Sequence, residues 1–138
     1  MGIGLLHLHA MLKSRYRAAQ TGGSADDVEA AFYEALQAGD LVQMMACWAD
    51  EDDIFCVHPG GPRLVGAAAI RAAFEAMFSH GSVRAYPERL RKVESLGAAV
   101  HNVLERIDLT TAEGTQHAWV VATNVYMKTA QGWRLVAH

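Results

Sequence analysis

Two polar residues set in apolar surroundings are the first candidates for chemistry. His58 ends the short run Ile54–His58, shares a strand face with Ile54 and Cys56 through the two-residue period, and is followed by Pro59-Gly60-Gly61-Pro62. An imidazole at such an element end can act as a base near neutral pH. The alternative is a ring bonded to the glycine-rich turn beside it. Asn124 sits among Val120, Val121, Ala122 and Val125. A buried amide must find partners. It either polarises a ligand oxygen from a pocket wall or ties neighbouring elements together.

Other constellations carry less. His101, His117 and His138 fall on separate strand-like runs, with Glu105 on the same strand face as His101. A facial metal triad needs two histidines and a carboxylate converging on one point, and no HxH or HExxH spacing on these strands supports it. His7 and His9 form an HxH, but on a helix they face different ways. No metal is expected. Cys47 and Cys56 show no CxxC or zinc-ligand spacing, and are expected to be buried, reduced thiols. GxGxxG, GxxxxGK[ST] and GxSxG are all absent, so nothing points to a nucleotide cofactor or an α/β-hydrolase nucleophile. No cofactor is expected. Asp50–Asp53 reads as a solvated turn, without the glycine and spaced carboxylates of a calcium loop.

These residues need elements to hold them. Ser24 with Asp27 resembles a capping box, and Val28, Ala31, Phe32, Ala35 and Leu36 follow on one helical face. Gly39 ends this helix. Asp40 caps a second, striped by Leu41, Met44, Met45 and Trp48. A strand spans Ile54–His58, and Gly66 opens a third helix striped by Ile70, Ala73, Phe74, Met77 and Phe78. Strand-like runs follow at about 83–93, 98–109, 115–128 and 133–138, with turn signals between them. Helices early and strands late predict an α+β domain with a mostly antiparallel meander. Three helices cover one sheet face only, so the sheet must curl around them. Its outer face carries apolar residues such as Val120, Ala122 and Tyr126, or their alternates, and predicts a homodimer. Residues 1–23 read as a short helix or extension with a linker, and 24–138 as the domain proper.

Bulk properties bound the partners. The chain of 138 residues is 51% hydrophobic and 20% charged, with net charge −3. That suits a single domain and argues against nucleic acid; the basic clusters at 13–17 and 84–92 read as solvated faces. No apolar run reaches the roughly 20 residues of a membrane span. Lys13, Arg15 and Arg17 follow the apolar N-terminal stretch, where a secretory signal needs them before it, and Leu6 stands where a myristoylation signal needs Ser or Thr. No membrane partner and a cytoplasmic location are expected.

The order of elements and three strings, "FYEALQAGDLVQMMACWADEDDIFCVHPG", "LVGAAAIRAAFEAMF" and "NVYMKTAQGWRLVAH", resemble the ketosteroid-isomerase-like superfamily, also called nuclear transport factor 2-like or SnoaL-like. The resemblance covers about residues 25–138. It implies a cone-shaped α+β half-barrel of cystatin-like topology, with three helices packed on a curved sheet over a pocket. In the steroid isomerases that pocket holds a carboxylate base, and a tyrosine with a protonated acid forms the oxyanion hole. By local matching the base falls on His58, the tyrosine on Phe32 with Tyr33 next to it, and the acid on Asn124. The matched carboxylates and phenol are absent, so steroid isomerase activity itself is not implied.

Two functions remain open. One is a cofactor-independent isomerase, dehydratase or cyclase acting on an apolar carbonyl compound, with His58 as base, Asn124 as polariser, and Phe32, Tyr33, Trp48 and Trp119 around the ligand. The other is a non-catalytic ligand-binding or dimerisation module.

Overall fold

The computed structural model describes residues 23–138; the extension expected at the N-terminus lies almost wholly outside them. Helix α1 (Ala25–Ala38) begins where Ser24 Oγ accepts from the Asp27 N–H at 3.1 Å. It stops at Gly39, whose φ of 64° lies in the left-handed region, while its N–H closes on the Leu36 carbonyl. Asp40 Oδ1 then accepts from the Gln43 N–H at 3.0 Å and starts α2 (Leu41–Ala46). This cap–stop–cap sequence sets the angle between the two helices in a single residue step.

Strand β1 (Phe55–Val57) and β2 (Arg63–Val65) pair antiparallel, joined through the Pro59–Pro62 turn. β2 was not expected: three residues with no apolar alternation carry too weak a signal. Gly66, at φ 88°, leads into α3 (Ala67–Ser79) with no side-chain cap. Four strands follow, β3 (Ala85–Glu94), β4 (Ala98–Thr111), β5 (Gly114–Thr129) and β6 (Gly132–Ala137). All six form one sheet in the order β2-β1-β6-β5-β4-β3. It is antiparallel except where β1 runs parallel to β6 at Phe55↔Ala137. β3 bends at a bulge between Glu88 and Arg91, where Arg89 takes φ 52°.

Alternation along the strands sorts side chains to the two faces. Ala99, His101, Val103 and Glu105 of β4, with Asn124 and Tyr126 of β5, are buried on the concave face. Val28, Phe32, Ala35 and Leu36 of α1 and Ile70 and Phe74 of α3 close over them. Phe32 meets Phe74 edge to face at 6.3 Å. The expected apolar outer face is made by the alternates: Trp119, Val121 and Met127 are exposed, while Tyr126 is wholly buried and Ala122 packs against the core. Among the described residues no helix is long and apolar enough to cross a membrane.

The strands do not overlap fully. β5 pairs with β4 from Gly114 to Met127, but with β6 only from Val125 to Thr129. The remaining edge of β5 therefore has no strand beside it among the described residues. It faces the Pro59 turn across a gap.

Loss of the Asp40 cap in Asp40→Ala should cost about 1 kcal/mol. Phe74→Ala, which empties the seam between α1 and α3, should cost about 3–5 kcal/mol. Urea unfolding curves of the two variants check both; a Phe74→Ala midpoint equal to that of the parent would contradict this packing.

Candidate functional site

The interior of the cone is polar along a defined line. Tyr33, on α1, donates its hydroxyl to Glu105 Oε2 of β4 at 2.7 Å. Asn124, on β5, donates Nδ2–H to the Tyr33 oxygen at 3.0 Å. Asn124 Oδ1 in turn bonds to Nδ1 of His138, the residue after β6. An amide oxygen can only accept, so His138 must carry its proton on Nδ1. The donors therefore run one way, from His138 through Asn124 and Tyr33 to Glu105, and Nε2 of His138 is left with a free lone pair.

A second centre lies beside it. Glu29, one helical turn before Tyr33, accepts from the Tyr126 hydroxyl at 2.8 Å and bonds to His101 Nδ1 at 2.7 Å. His101 Nε2 is buried without a partner; the nearest carboxylate oxygen is on Asp26, 3.9 Å away. Burial raises the Glu105 pKa, the Tyr33 hydrogen bond lowers it in part, and the Glu29 carboxylate raises it again. Tyr33 and Tyr126 are both held far above the usual phenol range, first by burial and then by the carboxylate that each faces.

A cleft of about 530 Å³ opens at the gap between the Pro59 turn and β5, and both His58 and His138 line it. The His58 ring stacks edge to face on Phe74 at 5.0 Å and stands 6.1 Å from the His138 ring. Its Nε2 is 3.4 Å from Cys56 Sγ. Burial lowers the pKa of His58. Burial, and then the neighbouring His58, lower that of His138 to about 4. Both rings are thus neutral at pH 7. Cys47 and Cys56 are free, and burial pushes each thiol up to about 12, so neither is a thiolate nucleophile. A larger hollow of about 720 Å³ lies between the acidic turn and the end of β5 and shares Phe55, Val125 and Ala137 with the cleft; it is lined also by Ile54, Met127 and Val136 and holds none of the histidines or tyrosines.

The structure brings four of the six candidate residues to one region. His58 lines the cleft. Asn124 is wholly buried with both ends of its amide engaged, and reaches the cleft only through His138. Phe32 packs against the His138 ring at 5.1 Å, and Tyr33 is the link behind Asn124. Trp48 and Trp119 are elsewhere. Trp48 is buried beside a separate crevice with Met45 and Arg71, and its indole N–H has no partner. Trp119 is on the opposite face of β5 from Asn124 and is 54% exposed. His138, Glu105 and Glu29 were not among the candidates for catalysis or binding. Strand alternation does place Glu105 and His101 on one buried face, but only the tertiary fold shows that α1 supplies their partners. Among the described residues no group of three histidine, cysteine or acidic side chains is placed to hold a metal ion.

The family profile of the SnoaL-like domain matches residues 26–138. A crystal structure from Thiobacillus denitrificans, provisionally described as a calcium/calmodulin-dependent protein kinase type II association domain, superimposes with a TM-score of 0.76 at 32% identity, covering 84% of this chain and 92% of that one. A provisionally described dehydratase of the NTF2-like family from Streptomyces avermitilis gives 0.70 at 25% identity over 80% and 88%. A protein of cystatin-like fold and unknown function from Nostoc punctiforme gives 0.65 at 18% identity over 83% and 90%, a likeness of fold alone. No curated protein matches the sequence.

The depressed His138 pKa makes a signed prediction. Between about 4 and the ordinary value of 6.5 the unfolded chain binds the proton and the folded chain does not. Stability is therefore full above pH 6.5 and should fall by on the order of 3 kcal/mol as the pH drops to 4. Urea midpoints measured across that range for the parent and for His138→Phe read the difference; identical slopes would remove the assignment.

Proposed function

The chain belongs to the SnoaL-like domain family, and from that premise we propose that its cleft binds a small carbonyl compound and moves a proton on it, with His58 as the base. The carrying observation is the pair of neutral imidazoles, 6.1 Å apart at the wall of one cleft. In the tautomer whose Nε2–H donates to the Cys56 sulfur, the Nδ1 lone pair of His58 is left for the substrate. A C–H bond beside the carbonyl breaks, its electron pair delocalises onto the carbonyl oxygen, and the proton passes to Nδ1. The resulting imidazolium returns it to the same or a neighbouring carbon. Burial of the ring disfavours that imidazolium, so the proton is held only briefly before it is returned.

His138 has the complementary task. Its Nδ1–H is tied to Asn124, so Nε2 accepts a hydrogen bond from a hydroxyl or enol on the ligand. Asn124, Tyr33 and Glu105 are positioning residues that hold this tautomer. Main-chain N–H groups on the open edge of β5 are the donors available to the carbonyl oxygen.

A probe without a known substrate suffices for a test. Incubated with 2-tetralone in D₂O, the protein should exchange the proton beside the carbonyl on the order of 100-fold faster than equimolar imidazole, read by proton NMR. His58→Ala should abolish the gain. An unchanged rate in that variant removes His58 as the base.

A second reading concerns assembly, and it rests on the exposed apolar side chains of Trp119, Val121 and Met127 on the outer sheet face. Similarity to a structure described as an association domain supports it. We infer a homodimer formed through this face. Light scattering at micromolar concentration should give twice the 15.0 kDa chain mass, and Val121→Glu should give the single chain. A parent protein that scatters as a monomer ends this reading.

A further inference from the structure

The edge of β5 that borders the cleft has a readable hydrogen-bonding pattern. Thr111↔Gly114 and Thr129↔Gly132 each close a two-residue turn, and such closing pairs are hydrogen-bonded to each other. The main chain of Gly114 therefore faces β4, and that of Thr129 faces β6. The N–H and C=O of one residue point the same way and alternate along a strand. No register shift interrupts the β4–β5 pairing. Even-numbered residues of β5 thus face β4, as the Lys128 N–H donating to Gly97 and the Ala122 carbonyl accepting from Asn102 also show. Odd-numbered residues face the other side. Beyond the last pair, Val125↔Ala137, the N–H and C=O groups of Val121 and Thr123 point into the cleft.

The opposite wall matches. His138 N–H donates to the Phe55 carbonyl at 3.1 Å, and Val57 N–H donates to the His138 carbonyl at 2.8 Å. The next acceptor in this parallel repeat is the Val57 carbonyl, which also borders the cleft. The two walls flank β6, so past its end they stand two strand spacings apart, about 9.6 Å. One extended chain fills that gap.

Among the described residues, the other edges of the sheet are guarded and this one is not. β3 carries Pro87, a bulge, Arg91 and Lys92, and β2 is three residues long. These are the usual devices against strand addition. The free stretch of β5, Thr115–Thr123, contains no proline, lysine or arginine and no bulge.

We propose that the cleft is a receptor for an extended polypeptide segment, which adds in line with β6, antiparallel to β5 and parallel to β1. Its main chain pairs with Val121, Thr123 and Val57. Its inward side chains lie over His58 and His138, where a serine or threonine hydroxyl donates to His138 Nε2. The inference concerns the cleft read above as an acid–base site, but it stands on main-chain edges and not on the imidazoles.

The capped peptide Ac-Val-Ser-Val-Ala-NH₂ tests it by nitrogen–proton correlation NMR. The Val121 and Thr123 amides should shift and exchange with solvent about tenfold more slowly, while those of Val120 and Ala122 stay as they were. A peptide N-methylated at alternate amides should bind about tenfold more weakly. Thr123→Pro should weaken the unmodified peptide likewise. Unshifted edge amides at millimolar peptide, or equal binding of the methylated form, overturns the proposal. So does concentration-dependent protection of Val121 and Thr123 without peptide, which would mean that a second copy covers the edge. Exchange of 2-tetralone is read separately, so a failure of the acid–base reading leaves the peptide result intact, and the reverse holds too.

Discussion

The structure depends on α1 carrying two polar side chains into the core and having both answered there. Glu29 and Tyr33 are one turn apart on the helix face that meets the sheet. Each is met by one residue of β4 and one of β5: Glu29 by His101 and Tyr126, Tyr33 by Glu105 and Asn124. A buried polar group left unpaired costs about 1–3 kcal/mol. Sliding or turning α1 would orphan several at once, so apolar packing by Val28, Phe32 and Leu36 supplies the bulk attraction while these bonds select one docking. The cleft follows from that choice, because Tyr33 fixes Asn124 and Asn124 fixes the His138 ring.

The two buried carboxyls differ in kind. Glu29 has an imidazole and a phenol against it, and Lys92 holds Asp26 close by at the same end of the cone. Glu105 has a single phenol and no cation, which is why burial dominates its titration. Its carboxyl is held above the usual carboxylate range. Because every donor in the chain points toward Glu105, its state is felt as a change in hydrogen-bond strength at Asn124 and then at His138.

Much of the scaffold was legible in the sequence. The caps at Ser24 and Asp40 and the stop at Gly39 act over three or four residues, and their signals are local. The long meander strands are announced by alternation and by glycine-containing turns. β2 was missed because a three-residue strand is defined by its partner and not by its own pattern. At the site, His58 was legible because a strand end followed by Pro-Gly-Gly exposes a side chain at a rim. Asn124 was legible as a buried amide, but its partners lie 91 and 14 residues away in sequence. Trp119 shows the limit most plainly: its size suggests burial, while strand parity alone, counted from Asn124, sends it to the outer face.

The parallel join of β1 to β6 has a consequence for the order of assembly. The β4–β5 hairpin joins neighbours in sequence, whereas Phe55 and Ala137 are separated by α3 and four strands of the sheet. Contacts that close such long loops tend to come late in folding. The join is narrow, one register pair with two flanking main-chain bonds at His138. Further back, the same side of β6 is held by the parallel Trp48↔Leu135 bridge, with main-chain bonds from Ala49 to Leu135 and from Leu135 to Cys47, so the seam is narrowest where it borders the cleft. Parting of this seam would widen the cleft without opening the core, where α1 and α3 pack on the sheet.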